Sequence, residues 1–158
     1  MSSQILEALT KLFALISRLE GGASEVERKF VIDYFKKELD ENSVGRYTKL
    51  YEDEAEYGKV QENKEISMKD NVRILKFCRE INRGLEQRQK VIILIKLLVL
   101  VASDKIDKKF TPQRRMILET ICQTFNIKDN YTALENFVFC EDSAILNSSN
   151  ILIAASHN

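Results

Sequence analysis

The sequence has little of what interrupts helices, crosslinks chains or binds transition metals. Its 158 residues include one proline, five glycines, three cysteines, one histidine and no tryptophan. Proline and glycine are the strongest helix breakers, so their scarcity permits long helices. The cysteines, Cys78, Cys122 and Cys140, are odd in number and widely spaced. They match neither a disulfide framework nor a CxxC metal pair, and we expect reduced, buried thiols in a cytoplasmic protein.

An excess of charge and a long apolar run are also missing. The 24 basic residues equal the 24 acidic ones, so no overall field would hold nucleic acid, and we expect no nucleic-acid partner. The most apolar stretch, residues 91–102, is interrupted by Lys96 and is shorter than the roughly 20 residues that cross a bilayer. The N-terminal residues lack the basic start and cleavage site of a signal peptide.

Apolar residues recur at steps of three and four through most of the chain, which is typical of amphipathic helices. This pattern predicts an all-α fold, a compact bundle of six or seven helices over residues 1–139. Residues 86–103 are apolar on nearly every side, so we expect them to form a central buried helix. Gly21 and Gly22 should end the first helix, Ser24 and Glu27 should form a capping box, and Thr111-Pro112 should begin the sixth helix.

Further predictions concern the faces of single helices and the end of the chain. A third helix over about 43–57 is less apolar and carries an acidic run at 52–56, so we expect it on the surface. Val72 in the fourth helix and Met116 in the sixth are predicted to face the core. Residues 140–158 form a tail or linker, and its β-like run Ile151-Leu152-Ile153 is predicted to be the first strand of a following domain in a longer protein.

Two stretches share one layout, in which an apolar helix, an acidic turn and a Ser/Thr cap precede a second helix. They are residues 13–39 and 97–127, and they arise either from an internal duplication or from the general similarity of helical hairpins. The first turn, Leu19-Glu20-Gly21-Gly22-Ala23-Ser24-Glu25-Val26-Glu27, resembles the Ala-Asp-Gly-x-Val-Ser/Thr-x-x-Glu turn of the TerB-like (tellurite-resistance) helical domains. The second copy, Asp104-Lys105-Ile106-Asp107-Lys108-Lys109-Phe110-Thr111, is similar to that turn but longer, and Arg114 stands where the family has a glutamate.

Three further segments are similar to the N-terminal TerB-like region of large bacterial ATP-binding cassette transporter proteins. They are Gln4 to Leu9, Leu85 to Leu94 and Thr124 to Ile127. The resemblance implies a non-catalytic regulatory or protein-interaction module on the cytoplasmic side, at the inner face of the membrane and in contact with it only through the full-length protein. Its partner would be the rest of that polypeptide or another protein. The chain has no Gly-x-x-x-x-Gly-Lys-Ser/Thr loop, and any ATPase activity would reside in other regions.

The resemblance also implies a divalent cation bound by acidic residues of the two turns. The matching positions are Glu20, Glu27, Asp104 and Asp107, and carboxylate oxygens are the ligands that hard cations prefer. The alternative interpretation is that Glu27 only completes a cap and that the others are solvated charges. Arg114, with Arg115 and lysines at 105, 108 and 109, forms a local basic patch that would oppose a cation. We therefore expect no bound ion and no cofactor. We also expect no catalytic residue, because the lone histidine, His157, lies in the C-terminal tail beyond the helices and leaves no base for Ser/His or Cys/His chemistry.

Overall fold

Seven α-helices make up the part of the chain that the computed structural model describes, which is residues 2–19, 22–59, 67–103, 111–127 and 131–138. They are α1 (Ser3–Arg18), α2 (Glu25–Glu38), α3 (Glu41–Ala55), α4 (Met68–Gly84), α5 (Gln87–Ser103), α6 (Pro112–Thr124) and α7 (Tyr131–Val138). These ranges contain no strand, and the predicted all-α bundle is confirmed. The predicted strand at 151–153 lies outside the described residues.

The helix ends follow the local sequence signals. The Ser24 hydroxyl accepts a hydrogen bond from the Glu27 amide at 3.1 Å, and the Glu27 carboxylate accepts one from the Ser24 amide at 3.1 Å. This is the predicted capping box, which satisfies two amides that the first turn of α2 leaves free. Gly22 has a φ of +92°, a left-handed conformation that other residues resist. At α6 the Thr111 hydroxyl accepts from the Arg114 amide at 3.3 Å, and Pro112 is the first helical residue.

Replacing Ser24 with alanine is expected to lower the free energy of unfolding by about 1 kcal/mol, the usual contribution of an N-cap side chain. The change removes the acceptor for the Glu27 amide and leaves the α2 sequence intact. Urea denaturation checks it, with Ser3→Ala as the control, because Ser3 is an exposed first residue of α1 rather than its cap. An unchanged midpoint for Ser24→Ala would show that the cap contributes nothing to stability.

Two helices share the centre of the bundle. The central position predicted for α5 is confirmed, since Leu94 and Leu98 are fully buried and α5 packs against α1, α2, α6 and α7. The sequence did not reveal that α1 shares this position. Eleven of its sixteen residues are buried, and it packs against α3, α4 and α5. Residues on two such helices supply much of the core.

The surface position predicted for α3 is confirmed, because only three of its fifteen residues are buried. The helix begins at Glu41, two residues before the predicted start, because the Asp40 carboxylate caps it by accepting from the Ser43 amide at 2.9 Å. Tyr47, Tyr51 and Ala55 are buried, and α3 packs extensively along α1. The buried face of α3 is formed largely by tyrosines at a helical spacing, since the helix as a whole has few aliphatic residues.

The acidic run of α3 is not a simple solvated face. Glu52 pairs with Arg28 of α2 at 2.9 Å, and Glu54 pairs with Arg73 of α4 at 2.8 Å. Glu56, at the end of the helix, lies 4.0 Å from Arg18 of α1. Three carboxylates of this run therefore connect α3 to three other helices, and they are not free to dock a cationic partner.

None of the described helices combines the length and the apolar character needed to cross a membrane.

Candidate functional site

A buried ionic centre joins the first turn of α2 to the first turn of α6. Arg114 and Glu27 are each 1% exposed, and the guanidinium Nη2 of Arg114 lies 3.5 Å from the Glu27 carboxylate. The same Nη2 donates to the Leu19 carbonyl at 2.9 Å and approaches the Ser17 carbonyl at 3.5 Å. Oxygen atoms from the end of α1 and the start of α2 thus surround the positively charged guanidinium of Arg114.

The sequence places these two residues at equivalent positions. Glu27 is the third residue of α2 after the Ser24 cap, and Arg114 is the third residue of α6 after the Thr111 cap. Arg114 is in helical register with the buried Ile117, Leu118 and Ile121, since residues three, four and seven apart lie on one face. A charged residue on an apolar face was the signal that the sequence offered for this buried ion pair.

A tyrosine extends the polar centre. The Tyr51 hydroxyl donates to the Ser17 hydroxyl at 2.8 Å, and both residues are buried. Burial raises the pKa of Tyr51, and the negative charge of Glu27 raises it further. Tyr51 therefore stays protonated and serves as a hydrogen-bond donor that fixes α3 to α1.

Of the four predicted metal ligands, only Glu27 belongs to the described residues. One of its carboxylate oxygens closes the capping box, and the other faces Arg114. Glu20, Asp104 and Asp107 lie outside the described residues. Within the described ranges, no group of three His, Cys, Asp or Glu side chains is placed to hold an ion.

The predicted basic patch includes two arginines that do not present free charge to solvent. Arg114 is buried in the ionic centre, and Arg115 pairs with Glu135 of α7 at 2.8 Å. Its lysines at 105, 108 and 109 lie outside the described residues. The assignment of Arg114 to a solvent-facing patch was wrong, because Arg114 turns toward the core with the apolar face of α6.

Two of the cysteines are free thiols in the core, as predicted. Burial raises the pKa of Cys78 to about 12 and, together with Glu119, that of Cys122 to about 11. The Cys122 thiol also donates to the Ile127 carbonyl at 2.9 Å. Since the thiolate is the reactive form, neither thiol is a nucleophile near neutral pH. Cys140 lies outside the described residues.

A groove of about 610 Å³ lies between α4 and α6. Its α4 wall consists of Asn71, Ile74 and Leu75. Its α6 wall consists of Pro112, Gln113, Met116, Ile117 and Thr120. All of these residues are uncharged, which is unusual for the surface of a chain in which 30% of residues are charged.

Two apolar residues that were predicted to face the core are exposed beside this groove. Met116 on its α6 wall is 65% exposed, and Val72 of α4 is 61% exposed. Val72 is one helical turn from Leu75 and from the exposed Met68, so the three form an apolar ridge along α4. The helical spacing of these residues was read correctly, but spacing alone cannot separate a face that packs in the core from one that is exposed.

Gln113 adds one polar feature to the groove. Its side-chain Nε2 is buried and has no hydrogen-bond partner. A buried amide donor without an acceptor costs free energy. Because this Nε2 atom has almost no accessible surface, a molecule in the groove would not reach it. The described lining of the groove therefore suits an apolar, uncharged segment.

The chain matches no protein-family model, no curated protein and no solved structure. The likeness to TerB-like domains thus depends on the quoted turns and segments, and the groove and the ionic centre supply the physical basis for a function.

Proposed function

We propose that this chain is a non-catalytic protein-interaction module, a TerB-like helical domain at the N-terminus of a larger ATP-binding cassette transporter-type protein on the cytoplasmic side. The partner is the rest of that polypeptide or another protein. The observation that carries the proposal is the uncharged groove between α4 and α6. The resemblance of the first turn to the TerB-like turn supports the attachment to a larger protein.

The groove has the properties of a peptide-docking surface. Contiguous exposed apolar residues mark interaction sites more often than single exposed ones do, and the ridge from Met68 to Leu75 adjoins the groove along α4. Burial of Met116 and Val72 by a partner would be favourable, since apolar surface would leave water. Grooves between two helices commonly accept an apolar face or an extended segment of a partner.

A titration with a synthetic peptide tests the docking surface. The probe is a blocked peptide in which leucine alternates with alanine between terminal serines, and the readout is the methyl resonance of Met116 in a methionine-labelled chain. The three methionines, Met1, Met68 and Met116, give a spectrum that is simple to assign. We expect a saturable shift of the Met116 signal, and none from a peptide with lysine in place of leucine, because the described residues that line the groove carry no charge to pair with a buried ammonium group.

Substitutions at two threonines provide the matched control. Thr120→Glu places a carboxylate in the groove and should abolish binding, whereas Thr132→Glu, at an exposed position of α7, should leave it unchanged. The docking surface is refuted if the peptide leaves the Met116 signal of the wild-type chain unshifted.

The alternative function is a divalent-cation-binding domain linked to metal or stress response. The observation in its favour is the convergence of the Glu27 carboxylate with the carbonyl oxygens of Ser17 and Leu19. The guanidinium of Arg114 is already among these oxygens, and its charge opposes a second cation. The interaction module is therefore the preferred function.

Calorimetric titration with Ca²⁺, Mg²⁺ and Zn²⁺ separates the two functions. We expect no binding heat and no rise in melting temperature at millimolar ion. A bound ion would raise the melting temperature, since a ligand specific for the folded state stabilises it by mass action. A rise that disappears in the double variant Glu20→Gln, Asp104→Asn would establish the cation-binding function instead. A rise that persists in that variant would place the ion elsewhere.

A further inference from the structure

We infer that the solvent-facing stripe of α4 binds an acidic helix of a partner protein. The stripe consists of Met68, Val72, Lys76, Arg79 and Arg83, all of them exposed. They follow one another at steps of four, four, three and four residues and therefore form one row along the helix. None of the five lines the groove between α4 and α6, and the inference does not require that groove to bind a partner.

The cations of the stripe are not used within the described fold. α4 contains five basic residues and two acidic ones. Arg73 pairs with Glu54 of α3 at 2.8 Å. Asp70 pairs with Arg18 of α1 at 2.8 Å. The three cations of the stripe, in contrast, form no ion pair with any described residue. The chain as a whole has no net charge, but this face keeps an excess of positive charge.

The dipole of α4 does not account for this row of cations. A cation complements the dipole only within the last turn of a helix, and Arg83 is the only basic residue in the last turn of α4. Lys76 and Arg79 lie nearer the middle of the helix. Carboxylates at a helical spacing on a partner could pair with all three cations, and guanidinium groups favour such pairs because they donate in a bidentate way.

The apolar end of the stripe favours a protein as the partner. Met68 is 82% exposed and is the most exposed large apolar residue of the described chain. It lies one turn from Val72, which is also exposed. Methionine and arginine are enriched in protein–protein interfaces, and burial of the two apolar side chains would add to the attraction between charges.

The narrow shape of the stripe favours a single helix over a flat surface. On one side it is bounded by Glu80 and by the Glu54 carboxylate that pairs with Arg73. On the other side lies the uncharged groove. An anionic membrane would bring its own charge against those carboxylates, whereas one acidic helix would meet the stripe alone. Two packed helices also present side chains to each other at these same steps of three and four residues.

The order of residues along the stripe gives the partner helix a direction. The apolar residues lie in the first two turns of α4, and the cations follow them. Acidic residues stabilise a helix when they lie near its N-terminus. A partner helix with an acidic first half and an apolar second half would therefore run antiparallel to α4. The stripe is about 22 Å long, at 1.5 Å per residue.

A titration with an acidic helical peptide tests the inference in the full chain. The probe is a blocked, alanine-rich peptide of roughly 20 residues, which is long enough to cover the stripe. It carries glutamates at steps of three and four in its first half and leucines in its second half. The readout is the Met68 methyl resonance of the methionine-labelled chain. We expect a saturable shift of Met68, and an affinity about tenfold weaker for the peptide with glutamine in place of glutamate.

Two double variants locate the binding surface. Arg79→Gln with Arg83→Gln should weaken the binding of the acidic peptide about fivefold or more. Lys36→Gln with Lys37→Gln removes the same amount of charge from exposed positions of α2, while α4 packs mainly against α1 and α6. This control should leave the affinity unchanged. Both double variants should keep the wild-type melting temperature, because all four side chains are exposed.

Three results would overturn the inference. An unshifted Met68 resonance would do so, and it would leave the groove, which the Met116 resonance reports, as a separate docking surface. Equal weakening in both double variants would mean that the overall charge of the chain, rather than the stripe, determines binding. A Met68 shift caused by phosphatidylserine vesicles but not by the peptide would make the stripe a membrane-binding surface instead.

Discussion

Leu98→Asp is expected to leave no cooperatively folded domain at 25 °C. Leu98 is fully buried in the middle of α5, a helix that packs against four others. An aspartate there would be charged without a partner, or would have to take up a proton, and either state costs several kcal/mol. The whole domain has only about 5 to 15 kcal/mol of stability. Circular dichroism during thermal unfolding checks the expectation.

Arg88→Asp is the control for this substitution. Arg88 is exposed on the first turn of the same helix, and a carboxylate near a helix N-terminus is favourable. The Arg88→Asp chain should retain the thermal unfolding transition of the wild-type chain. A Leu98→Asp chain with an unaltered melting temperature would mean that α5 is not the centre of the bundle.

Arg114→Met is expected to lower the free energy of unfolding by about 3–5 kcal/mol, the usual effect of breaking a buried ion pair. Methionine retains much of the apolar volume, but it leaves the Glu27 carboxylate buried opposite an uncharged side chain. The carbonyls of Ser17 and Leu19 also lose the donor that they share. Urea denaturation measures the change, and a loss below 1 kcal/mol would show that solvent reaches the pair.

A double-mutant cycle with Glu27→Gln isolates the pairing. Glutamine keeps an oxygen for the capping box, so the double variant removes both charges while α2 remains capped. The double variant should lose less free energy of unfolding than the two single variants lose together, since the effects of substitutions at interacting residues are not additive. Arg115→Met is the adjacent control. Its guanidinium pairs with Glu135 at the surface, and its urea midpoint should change far less.

Local signals in the sequence predicted the helices and their ends well. Ser24 and Thr111 act within three residues of where they stand, so their roles as caps follow from the chain alone. α1, in contrast, ends at Arg18 with Leu19 as its cap, ahead of the glycines that were predicted to end it. The all-round apolar character of α5 predicted its central position for the same reason, because no other environment tolerates such a helix in water.

The positions that depend on which helices meet were not predictable. The tyrosines of α3 share one face, but the spacing did not show that this face packs on α1. Val72 and Met116 have core spacing, but both side chains are exposed, and Met116 lines the groove between α4 and α6. Arg114 was interpreted as a surface charge because its partners, the carbonyls at the end of α1, are almost a hundred residues away in sequence. Periodicity shows that a face is apolar, and only the tertiary arrangement shows what covers it.

The buried arginine also leads us to expect that α6 forms late during folding. A positive charge in the first turn of a helix opposes the helix dipole, so Arg114 disfavours an isolated α6. Its favourable partners are the last carbonyls of α1, the negative end of that dipole, and the carboxylate at the start of α2. Since these partners come from the end of α1 and the start of α2, we expect both segments to be in place before α6 docks on them. Contacts that form after the transition state affect mainly the unfolding rate, so Arg114→Met should accelerate unfolding while refolding keeps its pace.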